Sequence, residues 1–177
     1  MDPNPKYGIV YNVQPEPPDP AACTPFEAGA VTFVLEYRSV DPERLEKAYA
    51  DRPEDLAEIR KFSPEGGFSD TGVSIHVFGT RDRHEYLRFD VFQDDPHYHY
   101  VHPSGDRNHW VPFDPIAGGD MFGFAMTCLR ERLDPMLRFA GGSDLAAALD
   151  RKRIAPAVDA LEKKARALQT EHRLAIA

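Results

Sequence analysis

Hydrophobic and polar residues alternate most cleanly in "AVTFVLEYRSV", where Val31, Phe33, Leu35 and Tyr37 fall on one face and Thr32, Val34, Glu36 and Arg38 on the other. A period of two in a run rich in β-branched and aromatic residues predicts a strand. The same period recurs in "TGVSIHVFGT", with Val73, Ile75 and Val77 opposite Ser74, His76 and Phe78. It recurs again in "HEYLRFDVFQ", with Leu87, Phe89 and Val91 opposite His84, Tyr86, Arg88, Asp90 and Phe92. Short strands over residues 97–103 and 108–113 complete a meander.

Between the first two strands, Asp41 before Pro42 and Asp51 before "RPED" are capping signals. Each opens a short helix with an apolar edge, Leu45 with Tyr49 and Leu56 with Ile59, and the second ends near "SPEGG". The polar stretch that follows, "SPEGGFSDTG", reads either as a loop over a cleft or as a plain helix-to-strand linker. From Asp120 the period lengthens to that of a helix through Met121, Phe122, Ala125, Cys128, Leu129 and Leu133, with Pro135 as the kink or restart. Asp120 reads as the cap of that helix rather than its N-terminus as an anion site. A last helix, starting near Pro156, carries an apolar seam of Ile154, Val158, Leu161, Ala165 and Leu168, suited to the parent domain or to a second copy of the chain.

The order of elements predicts an α+β fold, a mostly antiparallel β-meander sheet covered by helices, with long C-terminal helices. Three parts follow: a Pro-rich N-terminal strap over residues 1–28, an α+β core over 29–142, and a C-terminal helical extension over 143–177. The strap holds seven of the sixteen prolines, and "KYGIVYNV" within it alternates well enough for a short strand.

Composition adds exclusions. The 177 residues are long enough to bury a real core, and the net charge of -8 argues against nucleic acid or an anionic membrane as partner. Two cysteines, Cys23 and Cys128, make neither a disulfide framework nor a thiolate zinc site. The start of the chain has no secretory pattern and no apolar run reaches eighteen residues, so a cytoplasmic location is the expectation. No HExxH, GxSxG, GxxxxGK[ST] or GxGxxG pattern occurs.

The chemistry concentrates elsewhere. Six of the seven histidines fall between His76 and His109, four of them in "DDPHYHYVHPSGDRNHW". If "QDDP" is an even-length loop, residue 92 opposes 97 and Asp90 opposes His99, which puts His97, His99, Asp90 and Arg88 on one face. If it is odd, the histidines turn to the side of Leu87 and Phe89, and Tyr98, Tyr100 and His102 join Asp90 instead. In the even register His97, His99 and Asp90 form a ligand set suited to zinc or non-heme iron with open positions. Without metal, His99 is a general base oriented by Asp90, while Arg88 grips the carboxylate of a small-molecule ligand. Tyr86, Tyr98, His76 and Trp110 are further candidates for ligand contact. The competing reading is a non-catalytic interaction or dimerisation module, a homodimer through the C-terminal helix, with incidental surface histidines.

Overall fold

The computed structural model describes residues 7–63, 67 and 69–176. Six antiparallel strands lie in sequence order in one sheet: β1 (Thr24–Ala28), β2 (Val31–Val40), β3 (Asp70–Gly79), β4 (Glu85–Phe92), β5 (His97–Tyr100) and β6 (His109–Pro112). Helices α1 (Pro42–Ala48) and α2 (Pro53–Phe62) connect β2 to β3. After β6 come α3 (Pro115–Gly118), α4 (Met121–Thr127), a π-helical turn at Cys128–Arg132, α5 (Leu133–Phe139), α6 (Ser143–Ala147) and α7 (Arg151–Ile176). The fold is α+β, as the alternating pattern predicts.

Alternation sends Phe33, Leu35, Ile75, Leu87 and Phe89 to one face, where none of them is exposed. On that face α7 lies across β1, β2 and β3, while α4 and α5 cover β4. Val158, Leu161 and Ala165 of α7 are fully buried in the same core, so the apolar seam of the last helix packs on its own sheet. Gly141 ends α5 at φ +85°, and the amide of Gly142 reaches back to the Leu137 carbonyl at 2.8 Å. That closure satisfies a terminal carbonyl and needs the left-handed conformation glycine adopts without strain.

The other face is covered differently. The N-terminal strap runs beneath it and exchanges two backbone hydrogen bonds between Tyr11 and Trp110, at 3.0 and 2.8 Å. Val13 of the strap joins Tyr49 and Ile59 in a small second core, with Leu45 and Leu56 packed against it. The Tyr49 hydroxyl donates to the Gln14 carbonyl at 3.0 Å and fastens strap to helix. This second layer buries the sheet face that carries the polar residues of the strands.

Several local expectations change. The strap's last residues, Thr24–Ala28, form the edge strand β1, while "KYGIVYNV" makes only an isolated bridge at Tyr11. Asp41 caps α1 and Asp120 caps α4, accepting from the amides of Arg44 at 2.8 Å and Gly123 at 2.7 Å. Asp51 caps nothing; Arg52 holds the N-cap position of α2 without a side-chain bond. The last helix begins at Arg151, with Pro156 inside it. Asp150 receives the Lys152 amide at 2.9 Å and starts the helix before the proline is reached. Of the loop between α2 and β3, positions 64–66 and 68 lie outside the described residues, as do residues 1–6 at the start of the strap. Among the described residues, no helix is long and apolar enough to cross a membrane.

Candidate metal centre

Register decides which side chains meet. In β4 and β5, Asp90 stands opposite His97 and Arg88 opposite His99. The faces coincide as an even loop requires, but the pairing is shifted by two residues from the expected partnership of Asp90 with His99. The cause lies outside the hairpin. Asp70, buried at the start of β3, accepts the backbone amides of Gln93 at 3.0 Å, Asp94 at 3.0 Å and Asp95 at 2.7 Å. One carboxylate therefore holds the whole turn, and no local pattern announces it.

The consequence is a tight triad. Nε2 of His97 and Nε2 of His99 each lie 3.2 Å from the same oxygen, Oδ2 of Asp90. The second oxygen, Oδ1, accepts from the Ser74 hydroxyl across the β3–β4 pair. Asp90 is 2% exposed and His99 5%. His97 Nδ1 donates to the Asp95 carbonyl at 2.6 Å, a bond that leaves the Nε2 lone pair of the neutral ring aimed at the carboxylate. Ligand atoms roughly 2.0–2.1 Å from a tetrahedral ion stand about 3.3 Å apart, close to the two nitrogen-to-oxygen separations here, and all three ligand atoms lie within 4.8 Å of one another. Among the described residues, Asp90, His97 and His99 are the one group of three or more His, Cys, Asp or Glu side chains that could hold a metal ion.

Electrostatics agree with the geometry. Burial alone would raise the Asp90 pKa, but a hydrogen bond from His99 and the nearby Arg88 charge hold it well below the ordinary range. Burial pushes the His99 pKa down to about 4, with Asp90 opposing and the neighbouring His97 and Arg88 assisting. An ionised carboxylate beside a neutral imidazole is the protonation state a divalent cation requires. The two thiols are unsuited to that task, since burial raises both Cys23 and Cys128 to about 11.

A cavity of about 70 Å³ opens beside the triad, and Asp90, His97, His99 and Trp110 form part of its wall. The rest is largely apolar, from Val13, Val40, Leu45, Tyr49, Ile59 and Phe92. Trp110 sets its ring edge-on to His97 at 4.8 Å and nearly parallel to His99 at 6.4 Å.

Other expected site residues go elsewhere. The guanidinium of Arg88 reaches the cavity wall, but its bidentate edge is filled by Glu85 at 2.8 and 2.7 Å, so the fork expected to grip a ligand carboxylate is taken. His76 is wedged between Glu85, 2.7 Å from Nδ1, and Glu36, 3.4 Å from Nε2, away from the cavity. A β-bulge between Val77 and Phe78 breaks the alternation of β4 and sends Tyr86 to the helix-covered core, where its hydroxyl donates to Asp82 at 2.7 Å. Tyr98 faces that same core, stacked near Phe89 and tilted against Phe124. Asp70, Ser74 and Arg38 escape sequence reasoning because their roles arise from pairing between distant residues, and Glu85 because the bulge brings it to the face of Arg88. A period-two projection of β2 and β3 could still have placed Arg38 and Ser74 on the histidine face.

The chain belongs to the family described as Domain of unknown function (DUF7700), which matches residues 25–165. The match begins at the edge strand and ends within α7, so it takes in the sheet, the triad and most of the helical cover. No curated protein and no solved structure matches the chain.

Proposed function

We propose that this protein binds one divalent transition metal ion, zinc or iron(II), through His97, His99 and Asp90. The bound ion keeps an open position toward the cavity for water and a small organic ligand. The observation that carries this reading is the convergence of two Nε2 atoms on one buried oxygen, each at 3.2 Å. With Nδ1 of His97 committed to a carbonyl, a neutral ring would set lone pair against carboxylate, and a cation between them turns that repulsion into coordination. The ion would act as a Lewis acid, lowering the pKa of bound water and polarising a ligand oxygen. The apolar wall would exclude bulk water and strengthen that polarisation. Burial of the α7 seam residues Val158, Leu161 and Ala165 in the chain's own core weighs against the rival reading of a module that docks through that seam with incidental surface histidines.

Elemental analysis of tag-free protein after reconstitution is the test. The expected result is one zinc or iron per chain, lost in a folded His97→Ala/His99→Ala variant. Metal-free protein after every reconstitution, or metal retained by the variant, would contradict the reading.

A second, metal-free reading rests on one atom. His99 Nδ1 is buried and has no hydrogen-bond partner. If Nε2–H donates to Asp90, that nitrogen is a bare base in a dry site. Activity that survives complete chelation would select this reading over the first.

A further inference from the structure

Asp90 offers the triad one oxygen and withholds the other. Oδ2 faces both imidazoles, while Oδ1 accepts from the hydroxyl of Ser74, a fully buried side chain. Register fixes that bond, because Ser74 stands directly opposite Asp90 in the β3–β4 pair and both side chains point to the strap-covered face. Two residues earlier on the same face, Gly72 packs so closely against β4 that a Cβ there would collide with the backbone of Val91 and Phe92. The two strands are flush at that point, with the hydroxyl within reach of the carboxylate.

The number of oxygens Asp90 gives decides what kind of site this is. A zinc-type ion takes four protein ligands in a closed structural site, and three protein ligands plus water in an open one. Two imidazoles and a chelating Asp90 would fill all four positions. Two imidazoles and Oδ2 alone fill three, and the fourth stays available. Moving Oδ1 onto the ion would break a charge-assisted hydrogen bond between two buried groups, where no solvent replaces it. The serine bond therefore opposes chelation.

We propose that Ser74 keeps this metal centre open: by holding Oδ1 it makes Asp90 a one-oxygen ligand and reserves a coordination position for water or an exogenous ligand. Ser74 acts through Asp90 and touches neither the ion nor that ligand, so it is a positioning residue. The inference rests on the metal reading above and adds to it the side chain that separates an open site from a closed one. With alanine in its place, the same three residues would still reach the ion, and the freed Oδ1 would fill the fourth position.

The experiment compares the wild-type protein with Ser74→Ala and with Ser74→Thr, which keeps the hydroxyl, each loaded with zinc or cobalt(II) and its metal content measured. Infrared difference spectra between the zinc-loaded and metal-free forms read how Asp90 binds, because the two carboxylate stretches lie farther apart for a one-oxygen ligand than for a chelating one. Azide, titrated into the cobalt form and followed in the visible spectrum, reads the open position. Its three atoms match the roughly three that 70 Å³ encloses on the scale of benzene in a 150 Å³ cavity. The wild type and Ser74→Thr should show the wide splitting and bind azide saturably. Ser74→Ala should show the narrow splitting and bind azide about ten-fold or more weakly at the same metal content. A narrow splitting or no azide binding in the wild type overturns the inference, whether or not the variants fold. So does a Ser74→Ala protein that keeps the wild-type splitting or azide affinity, or a folded Ser74→Thr protein that behaves as the alanine variant. Each of these results leaves the triad standing as a metal site, whereas a wild type that takes up no metal overturns both.

Discussion

The two faces of this sheet are made by alternate residues of the same strands, yet they are stabilised in opposite ways. On the helix-covered face, Phe33, Leu35, Ile75 and Phe89 are buried among other apolar side chains. Each contributes on its own, by area removed from water and by close packing. On the strap-covered face, Glu36, Arg38, His76, Arg88, Asp90, His97 and His99 are just as buried, and each is tolerable only because a neighbour answers it. The lesson is that burial does not say whether a residue stabilises the fold by itself. The apolar face is additive; the polar face is coupled, and coupling is what holds two imidazoles and a carboxylate within 3.2 Å.

Substitutions can break that contrast. The largest effect belongs to Phe33→Ala, which should cost about 4 kcal/mol in chemical denaturation while leaving metal uptake at the triad intact. Arg88→Met should cost about 3 kcal/mol, because it strands Glu85, a carboxylate held below its ordinary range by Arg88 and His76 against the opposing effect of burial. Adding Glu85→Leu should recover much of that loss, whereas a second truncation on the helix face, such as Leu161→Ala, should add to the first. If the Arg88 and Glu85 losses simply sum, the polar face is not coupled.

The pH dependence of the metal-free protein probes the same face. His99 is held near 4 against an ordinary 6.5, so the unfolded chain takes up the proton first as pH falls. Stability should be unaffected above about pH 7 and drop by up to about 3 kcal/mol between pH 6.5 and 4. Asp90 and Glu85 are shifted the same way, so their contribution persists above the ordinary carboxylate range and is lost at lower pH. His99→Gln should flatten the upper part of this curve, followed by the denaturation midpoint at each pH. A slope unchanged by the substitution would contradict the neutral buried imidazole.

Smaller effects sharpen the picture of how the hairpin is set. Asp70→Ala removes the acceptor of three turn amides and should cost about 2 kcal/mol. Because the turn positions His97 through the Asp95 carbonyl, the same change should weaken metal binding about ten-fold or more in a chelator competition. Asp41→Ala, a cap remote from the triad, should cost about 1 kcal/mol and leave metal affinity alone. Equal effects of the two substitutions on metal affinity would remove the assigned role of Asp70.

How much of this was legible follows from the range of each interaction. Strands β2 to β4 announce themselves through a period of two, and the same parity places His97, His99, Asp90 and Arg88 on one face. Which residue opposes Asp90 depends on Asp70, some twenty residues upstream on another strand, so the hairpin's own residues misplace the pairing by two. The bulge that turns Tyr86 away from Arg88 leaves the hydrophobic pattern of β4 intact and is invisible in it. Parity places Glu36 and Arg38 on the face away from Phe33 and Leu35 but does not say what covers them, because the strap's prolines give no periodic signal of what they lie against. The filled fork of Arg88 was hidden by the bulge, through which Glu85 reaches the same face.

X-ray absorption at the metal edge of the reconstituted protein tests the central claim most directly. The account predicts a first shell of nitrogen and oxygen with multiple scattering from two imidazoles, falling to one in His97→Gln. A shell containing sulfur, or one whose imidazole count is unchanged by that substitution, would contradict a metal centre built from His97, His99 and Asp90.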